Sequence, residues 1–277
     1  MADPDPERRS LLARDGVAAH ASVEDLLEAG GVEAVVIASP PEAHEHATQA
    51  AAAAGVTTLV EKPPAPDAEG AARIAALNPM PWVGFNRRFA LGANCAGLLP
   101  DGGTIDLELR YRRFSWAPVS VRDPALTDLA PHLVDLALRA GVGAPHAVRA
   151  SSARQDRVEI ELEGGAGTAR IRCACDRMYR ESLAMRDADG RLVERRRVGG
   201  IVRGLAARVG SGPHPLVASL AAQLDELALA ARGETPATLA SATEGAAVMR
   251  VIAAAADSLA HGGEPIALAG TERTPAP

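Results

Sequence analysis

The sequence predicts an α/β region followed by an α+β region, and three observations carry that prediction. Short apolar runs alternate with amphipathic helical segments in the first third; beyond residue 88 the apolar period drops to two; two helical segments close the chain. In order, Glu7 to Arg14 reads as a short helix closed by Gly16, and Ser22 caps a second from Val23 to Ala29, stopped by Gly30-Gly31. Val35-Val36-Ile37-Ala38 is a continuous apolar run of the kind found in a parallel strand covered on both faces. Helix Pro41 to Ala54, strand Thr57 to Val60, helix Asp67 to Leu77 and strand Trp82 to Phe85 follow, and such alternation with short connections implies crossovers and a parallel sheet. Thr104 to Trp116, Val148 to Ser152, Val158 to Leu162, Gly167 to Ala174, Leu183 to Arg186 and Leu192 to Val198 read as strands of an open antiparallel sheet, with Gly164-Gly165 and Asp189-Gly190 as hairpin signals. Helices His214 to Arg232 and Ser241 to His261 follow, then a candidate edge strand, Pro265 to Leu268. The expected regions are 1–87 and 88–277, with no internal repeat.

Composition narrows the function. A chain of 277 residues with 47 % hydrophobic and 23 % charged residues can bury a sizeable core. A net charge of -6 gives no basic footprint for nucleic acid, no apolar run is long enough to span a membrane, and the N-terminus lacks a signal-like h-region, so a cytoplasmic location is expected. Cys95, Cys173 and Cys175 read as small apolar fillers, because no His or Cys stands at ligand spacing and His44 and His46 cannot share a helix face; no metal is expected.

Four segments then stand out: Val35 to His44 with Ser39-Pro40-Pro41, Val60-Glu61-Lys62-Pro63, Gly84-Phe85-Asn86-Arg87-Arg88-Phe89, and Thr127 to Leu136 with an Asp-x-x-x-His spacing. In this order and spacing they resemble successive signatures of the glucose-fructose oxidoreductase and inositol dehydrogenase (Gfo/Idh/MocA) family, and the resemblance covers nearly the whole chain. It implies an incomplete Rossmann-type parallel sheet followed by a substrate-binding and dimerisation domain. It implies NAD- or NADP-dependent hydride transfer to or from a sugar, polyol or related secondary alcohol or ketone. The residues implied are Lys62, Asp128 and His132 for catalysis, and Asp3, Ser39, Pro40, His44, Glu61, Lys62 and Asn86 for the cofactor. Lys62, Trp116, Asp128 and His132 are implied for a small-molecule substrate, in a homodimer or higher oligomer built through the antiparallel sheet.

The residues also argue for themselves. Ligands of open parallel sheets sit beyond the carboxyl ends of the strands, where Ser39, Glu61-Lys62 and Asn86 lie. The Lys62 ammonium can stabilise negative charge developing on a substrate oxygen; the alternative is a strand-end lysine snorkelling to water. A helix starting at Asp123-Pro124 and stopping at Gly141 puts Asp128, His132 and Asp135 on one face. A carboxylate there can fix the imidazole tautomer, and His132 can take the hydroxyl proton as hydride leaves the substrate carbon; the alternative is a histidine hydrogen-bonded at a domain interface. Pro131 is expected to bend or weaken this helix. Trp116 is either a sugar-stacking wall or a core or interface aromatic. Arg195-Arg196-Arg197 reads as exposed strand or hairpin rather than a phosphate site.

One departure from the family pattern matters. The chain opens at what resembles the end of the family's second strand, with Asp3 at the ribose-reading position, and contains no Gly-x-Gly-x-x-Gly between a strand and a helix. Asp3 favours NAD, since a carboxylate repels a 2′-phosphate, but weak or no dinucleotide binding is expected. The parallel sheet should comprise only the strands near Val35, Leu59 and Val83, with an exposed edge beside Val35 and a poorly anchored segment from Val17 to Ala21. Two other functions remain compatible: acid-base chemistry without a dinucleotide, such as elimination or isomerisation, and a non-catalytic binding or scaffold role.

Overall fold

The short apolar runs of the first third become parallel strands between helices. The computed structural model describes residues 1–13, 16–91, 95–112, 124–199 and 215–268. Two compact units are present: Met1–Gly84 with Gln223–Ala246, and Phe85–Ala222 with Ala247–Pro277. The first break falls three residues before the expected boundary at 87, and the return of Gln223–Ala246 to the first unit has no counterpart in the expected regions 1–87 and 88–277.

In the first unit, α1 (Pro6–Ala13), α2 (Val23–Glu28), β1 (Ala34–Ile37), α3 (Pro41–Ala53), β2 (Thr57–Val60), α4 (Ala68–Ala75) and β3 (Trp82–Val83) follow the predicted order. The caps are those the sequence signals. The Ser22 hydroxyl accepts the Asp25 N–H at 3.1 Å and the Asp67 carboxylate the Gly70 N–H at 2.7 Å, each satisfying a donor that the first helical turn leaves open. β1, β2 and β3 are parallel, with Val36 opposite Leu59 and Val60 opposite Val83.

The sheet has a fourth strand that the sequence did not reveal. Helix α7 (Pro215–Ala231) leads to β10 (Ala240–Ser241), which pairs antiparallel with β3, and then to α8 (Ala242–Ala260). Two residues are too few to show a period. The Glu226 carboxylate fixes this return by accepting the N–H groups of Thr238 and Leu239 at 2.8 and 2.9 Å. Ser241 and Glu244 form a reciprocal capping box at the start of α8. Residues 17–21, expected to be loose, are tied to the N-terminus: His20 bridges Ala2, donates its N–H to the Met1 carbonyl at 2.8 Å and accepts the Asp3 N–H at 3.1 Å. β1 is the sheet edge among the described residues, and Val36 is 41 % exposed.

In the second unit, β4 (Gly103–Arg112), α5 (Ala125–Asp128), α6 (Ala130–Ala140), β5 (Pro145–Arg154), β6 (Arg157–Gly164), β7 (Gly167–Ala174), β8 (Asp176–Arg186), β9 (Leu192–Gly199) and β11 (Ile266–Ala267) build a seven-stranded sheet of order β11-β5-β6-β7-β4-β8-β9. This sheet is mixed rather than purely antiparallel. β4 runs parallel to β7 on one side and antiparallel to β8 on the other, because the chain leaves β4 through α5 and α6 before returning. Alternation sorts the faces: Ile105, Leu107, Leu109, Ile160, Leu162, Ile171 and Leu183 are buried together with Leu133 and Leu136 of α6, while charged residues fill the other face. β8 begins seven residues before the predicted Leu183, since its polar first half is held by pairing to Arg110, Arg112 and β9.

Gly245 in α8 marks a close approach to β3: a Cβ there would stand 2.8 Å from a Val83 methyl. Alanine ordinarily favours a helix over glycine by about 1 kcal/mol. Here we expect Gly245→Ala to destabilise the fold instead, by about 1–3 kcal/mol of overpacking, and so to lower the melting temperature. A thermal melt in which the variant is the more stable protein rejects this packing.

Candidate active site

In the first unit the loops after β1 and β2 are pinned to one another by His44. The ring lies in the first turn of α3 and is 1 % exposed; Nδ1 is 3.0 Å from the Pro63 carbonyl and Nε2 is 2.8 Å from the Ser39 carbonyl. His44 thus braces the strand ends, a structural duty the sequence did not single out. Ser39 and Pro40 follow β1, and Glu61 and Lys62 follow β2, beyond the carboxyl ends of parallel strands as expected. The Glu61 carboxylate accepts the Lys62 N–H at 3.3 Å and packs on Gly84, where a Cβ would stand 2.9 Å away. Asp3 accepts the Asp5 N–H at 2.8 Å and lies 3.7 Å from Arg8.

In the second unit the Asp-x-x-x-His segment is two helices, not one. Asp128 ends α5 and His132 lies in the first turn of α6, so the expected single face carrying Asp128, His132 and Asp135 is interrupted at Leu129. Pro131 sits at the start of α6, where a missing N–H costs nothing, and does not bend the helix interior. Gly141 closes α6 with φ 111°, in the left-handed region. The Asp128 carboxylate accepts the Tyr111 phenol at 2.7 Å. Asp135 holds Arg88 through two bonds, Nε to Oδ2 at 2.8 Å and Nη2 to Oδ1 at 2.6 Å, with both residues 1 % exposed. His132, 6 % exposed, meets the Phe85 ring edge to face with centroids 6.1 Å apart. Asn86 and Arg87 belong to the same short 3-10 turn as Arg88. Arg87 donates to Glu181 at 2.5 Å, and Tyr179 donates to the same oxygen at 2.7 Å; burial and the Glu181 charge push the Tyr179 phenol well above its ordinary range.

Sequence reasoning missed Arg87, Arg88, Tyr111, Tyr179 and Glu181 as partners. The signal for two of them existed: stepping back by twos from Leu183 along β8 places Glu181 and Tyr179 on the covered face, where a carboxylate and a phenol must find partners. All three cysteines are buried and none is in a disulfide among the described residues, and burial pushes the Cys95 and Cys173 thiols up, as fits apolar fillers. Arg195 to Arg197 lie in β9. Trp116, Asp123 and His214 lie outside the described residues, so the stacking wall, the cap and the helix start expected there have no structural account.

With this geometry in hand, residues 1–79 match the profile of the "Oxidoreductase family, NAD-binding Rossmann fold". Over those residues the chain is similar to the Gfo/Idh/MocA family. It is 38 % identical over 150 residues to an inositol 2-dehydrogenase of Streptomyces avermitilis, a match covering 50 % of this chain and 43 % of that protein. An inositol 2-dehydrogenase of Ralstonia nicotianae is 32 % identical over 148 residues, covering 49 % and 44 %. The matched region thus spans less than half the length of these relatives. The fold is similar to a myo-inositol dehydrogenase from Lactobacillus casei in complex with NAD(H) and myo-inositol, with TM-score 0.77, 17 % identity, and 98 % and 89 % of the two chains covered. It is also similar to a putative myo-inositol dehydrogenase from Sinorhizobium meliloti, with TM-score 0.75, 21 % identity, and 97 % and 91 % covered.

Burial pushes the Glu61 carboxyl above its ordinary value of 4.5, against the pull of the Lys62 N–H and charge. The folded chain therefore binds this proton more tightly than the unfolded chain, and the carboxyl weakens the fold once pH rises through its raised folded value. We expect Glu61→Gln to gain on the order of 1 kcal/mol near neutral pH. That gain should vanish as pH falls to the ordinary value of 4.5. Melts across this window check it; a gain independent of pH sinks the assignment.

Proposed function

We propose that the chain transfers hydride between a nicotinamide dinucleotide and a secondary alcohol or ketone of a sugar or polyol, as its inositol dehydrogenase relatives suggest. The observation that carries this reading is the polar cluster inside the second unit, where His132 lies at the start of α6 against Phe85 and Asp128 is held by the Tyr111 phenol. His132 takes or returns the hydroxyl proton, and Asp128 keeps negative charge available to the imidazolium. In the first unit, Lys62 supplies an ammonium for the substrate oxygen.

The strand ends of the first unit suit the nicotinamide side of the cofactor: Ser39, Pro40 and Glu61 stand at the carboxyl ends, and Gly84 leaves room that a Cβ would fill. NAD supplies a hydride acceptor and NADH a donor. Asp3 favours NAD over NADP. A polypeptide limited to these 277 residues has no glycine-rich phosphate loop; two or three charge-assisted contacts, on the order of 3–9 kcal/mol of cofactor binding, would then be missing. Titration with NADH followed by nicotinamide fluorescence should show binding roughly a hundredfold to a millionfold weaker than in a relative with that loop. Low-micromolar binding at one-to-one stoichiometry refutes this.

At saturating cofactor, His132→Ala should lower kcat about a hundredfold or more with KM little changed, because the proton acceptor matters chiefly in the transition state. Lys62→Ala should damage both kcat and KM, because its ammonium contacts the oxygen before and during transfer. Unchanged turnover in the His132 variant removes that residue from the mechanism.

The protein is further proposed to form a homodimer through the charged face of the seven-stranded sheet. Columns of opposite sign lie side by side there: Glu159, Glu161 and Glu163 on β6, Arg170 and Arg172 on β7, Asp106 and Glu108 on β4. A two-fold axis parallel to the strands between β7 and β4 lays each arginine column on the acidic column of the partner. It also sets the β6 glutamates of one copy over the cavity of about 340 Å³ floored by Ser182 and Ala184 and lined by Arg180, Arg186, Arg195 and Arg197 of the other. An axis across the strands would oppose like charges. Arg170→Glu with Arg172→Glu should yield a monomer by light scattering; a wild-type monomer at micromolar concentration refutes the dimer.

A further inference from the structure

The end of the covered sheet face that holds Asp128 also holds a second carboxylate, whose hydrogen bonding is one-sided. Glu181 of β8 stands opposite Leu109 of β4, and Arg180 opposite Arg110. The pairs Tyr111–Asp128 and Tyr179–Glu181 therefore occupy the same end of adjacent strands, which are spaced about 4.8 Å apart. Glu181 is 1 % exposed, and its Oε1 accepts both Arg87 and Tyr179. Its Oε2, also buried, has no hydrogen-bond partner among the described residues. On the turn that carries Arg87, Asn86 is 6 % exposed and its side-chain Oδ1 is in the same condition.

A buried acceptor without a donor costs free energy comparable to a lost hydrogen bond; two such acceptors and one buried donor without an acceptor, Arg87 Nε, stand beside one turn, and among the described residues nothing meets them. The missing chemistry is specific. Carboxylates and phosphate esters have few protons to give at neutral pH, and the Arg87 guanidinium already balances the Glu181 charge, which disfavours a second cation. A neutral hydroxyl is what remains. Arg87 and Tyr179 are the partly exposed members of the cluster.

We propose that Glu181 Oε2 and Asn86 Oδ1 form a hydroxyl-accepting subsite that selects a polyhydroxylated substrate over its deoxy analogues. The proposal rests on the sugar or polyol reading above and deepens it. A non-reacting hydroxyl bound here anchors the substrate ring at a second point of the unit that carries His132, and so makes Glu181 and Asn86 specificity-determining residues rather than proton-transfer groups.

The test is calorimetric titration of the full chain, in the presence of millimolar NADH, with myo-inositol, D-glucose and their monodeoxy analogues. For the wild type, one polyol should bind about tenfold to a hundredfold more tightly than the analogue lacking the anchored hydroxyl, as expected for a hydrogen bond to a charged acceptor. Glu181→Gln should erase that ratio by weakening the parent polyol and leaving the deoxy analogue unchanged. Asn86→Ala leaves the Glu181–Arg87 pair intact and should reduce the ratio as well, which keeps the test informative if Glu181→Gln does not fold. A wild-type protein that binds none of these polyols overturns the polyol reading and the subsite together. Tight polyol binding with the same ratio in a folded Glu181→Gln, or in Asn86→Ala, overturns the subsite alone.

Discussion

The arrangement of the second unit hangs on the buried ion pair between Arg88 and Asp135. Two charges at 1 % exposure are tolerated only because the guanidinium fork meets both carboxylate oxygens, at 2.6 and 2.8 Å. The pair ties the turn after β3 to the middle of α6. Everything else in the polar cluster follows from that tie: Phe85, just before the turn, is set against His132, Asn86 is drawn into the interior, and Arg87 is aimed at Glu181. Removing one partner of such a pair leaves the other charge buried without its counterion, which costs about 3–5 kcal/mol. The same constraint explains why adjacent arginines in one short turn do not repel each other into solvent: each has its own carboxylate, one from a helix and one from a strand.

The seven-stranded sheet separates two kinds of polar chemistry by alternation alone. On its covered face, polar groups are few and gathered at one end, Tyr111, Tyr179 and Glu181, with Asp128 and Asp135 supplied by the helices. On the other face charged positions predominate, in columns that follow the strand register. The first is the side on which the proposed hydroxyl contacts would fall, because its hydrogen-bonding groups lie in a medium of low dielectric, where an unmet acceptor is costly. The second can recognise only another charged surface, since exposed arginines and glutamates are already solvated and become selective through matched arrays rather than single contacts.

How much of this was legible can be judged residue by residue. Ser22 and Asp67 announced helix starts because a cap is a local bargain between one side chain and the next turn. Thr57 to Val60 was readable as a buried strand because a continuous apolar run of that length has few other uses. Lys62 and His132 were marked through family signatures and position. By contrast, β8 was read as starting at Leu183, since Asp176 to Glu181 contains too few apolar residues to show a period. The break between α5 and α6 was hidden because Pro131 can either kink one helix or open a second, and spacing does not distinguish these.

By itself the sequence determined most of the order of elements and the sorting of apolar from charged faces, because these depend on local propensity and on periods of two and 3.6 residues; its likeness to a family came from motifs, not from periods. Only the tertiary structure decided that Ala240–Ser241 completes the first sheet, that β4 and β7 run parallel, that His44 is a brace between two strand-end loops, and that Asp135 serves Arg88. Apart from the contact of His44 with Ser39, five positions away, each of these is a pairing between residues 19 or more positions apart, chosen by which donor and acceptor are left to meet when the apolar faces close. No window along the chain contains that information, since the partner of a buried polar group is set by everything that packs around it.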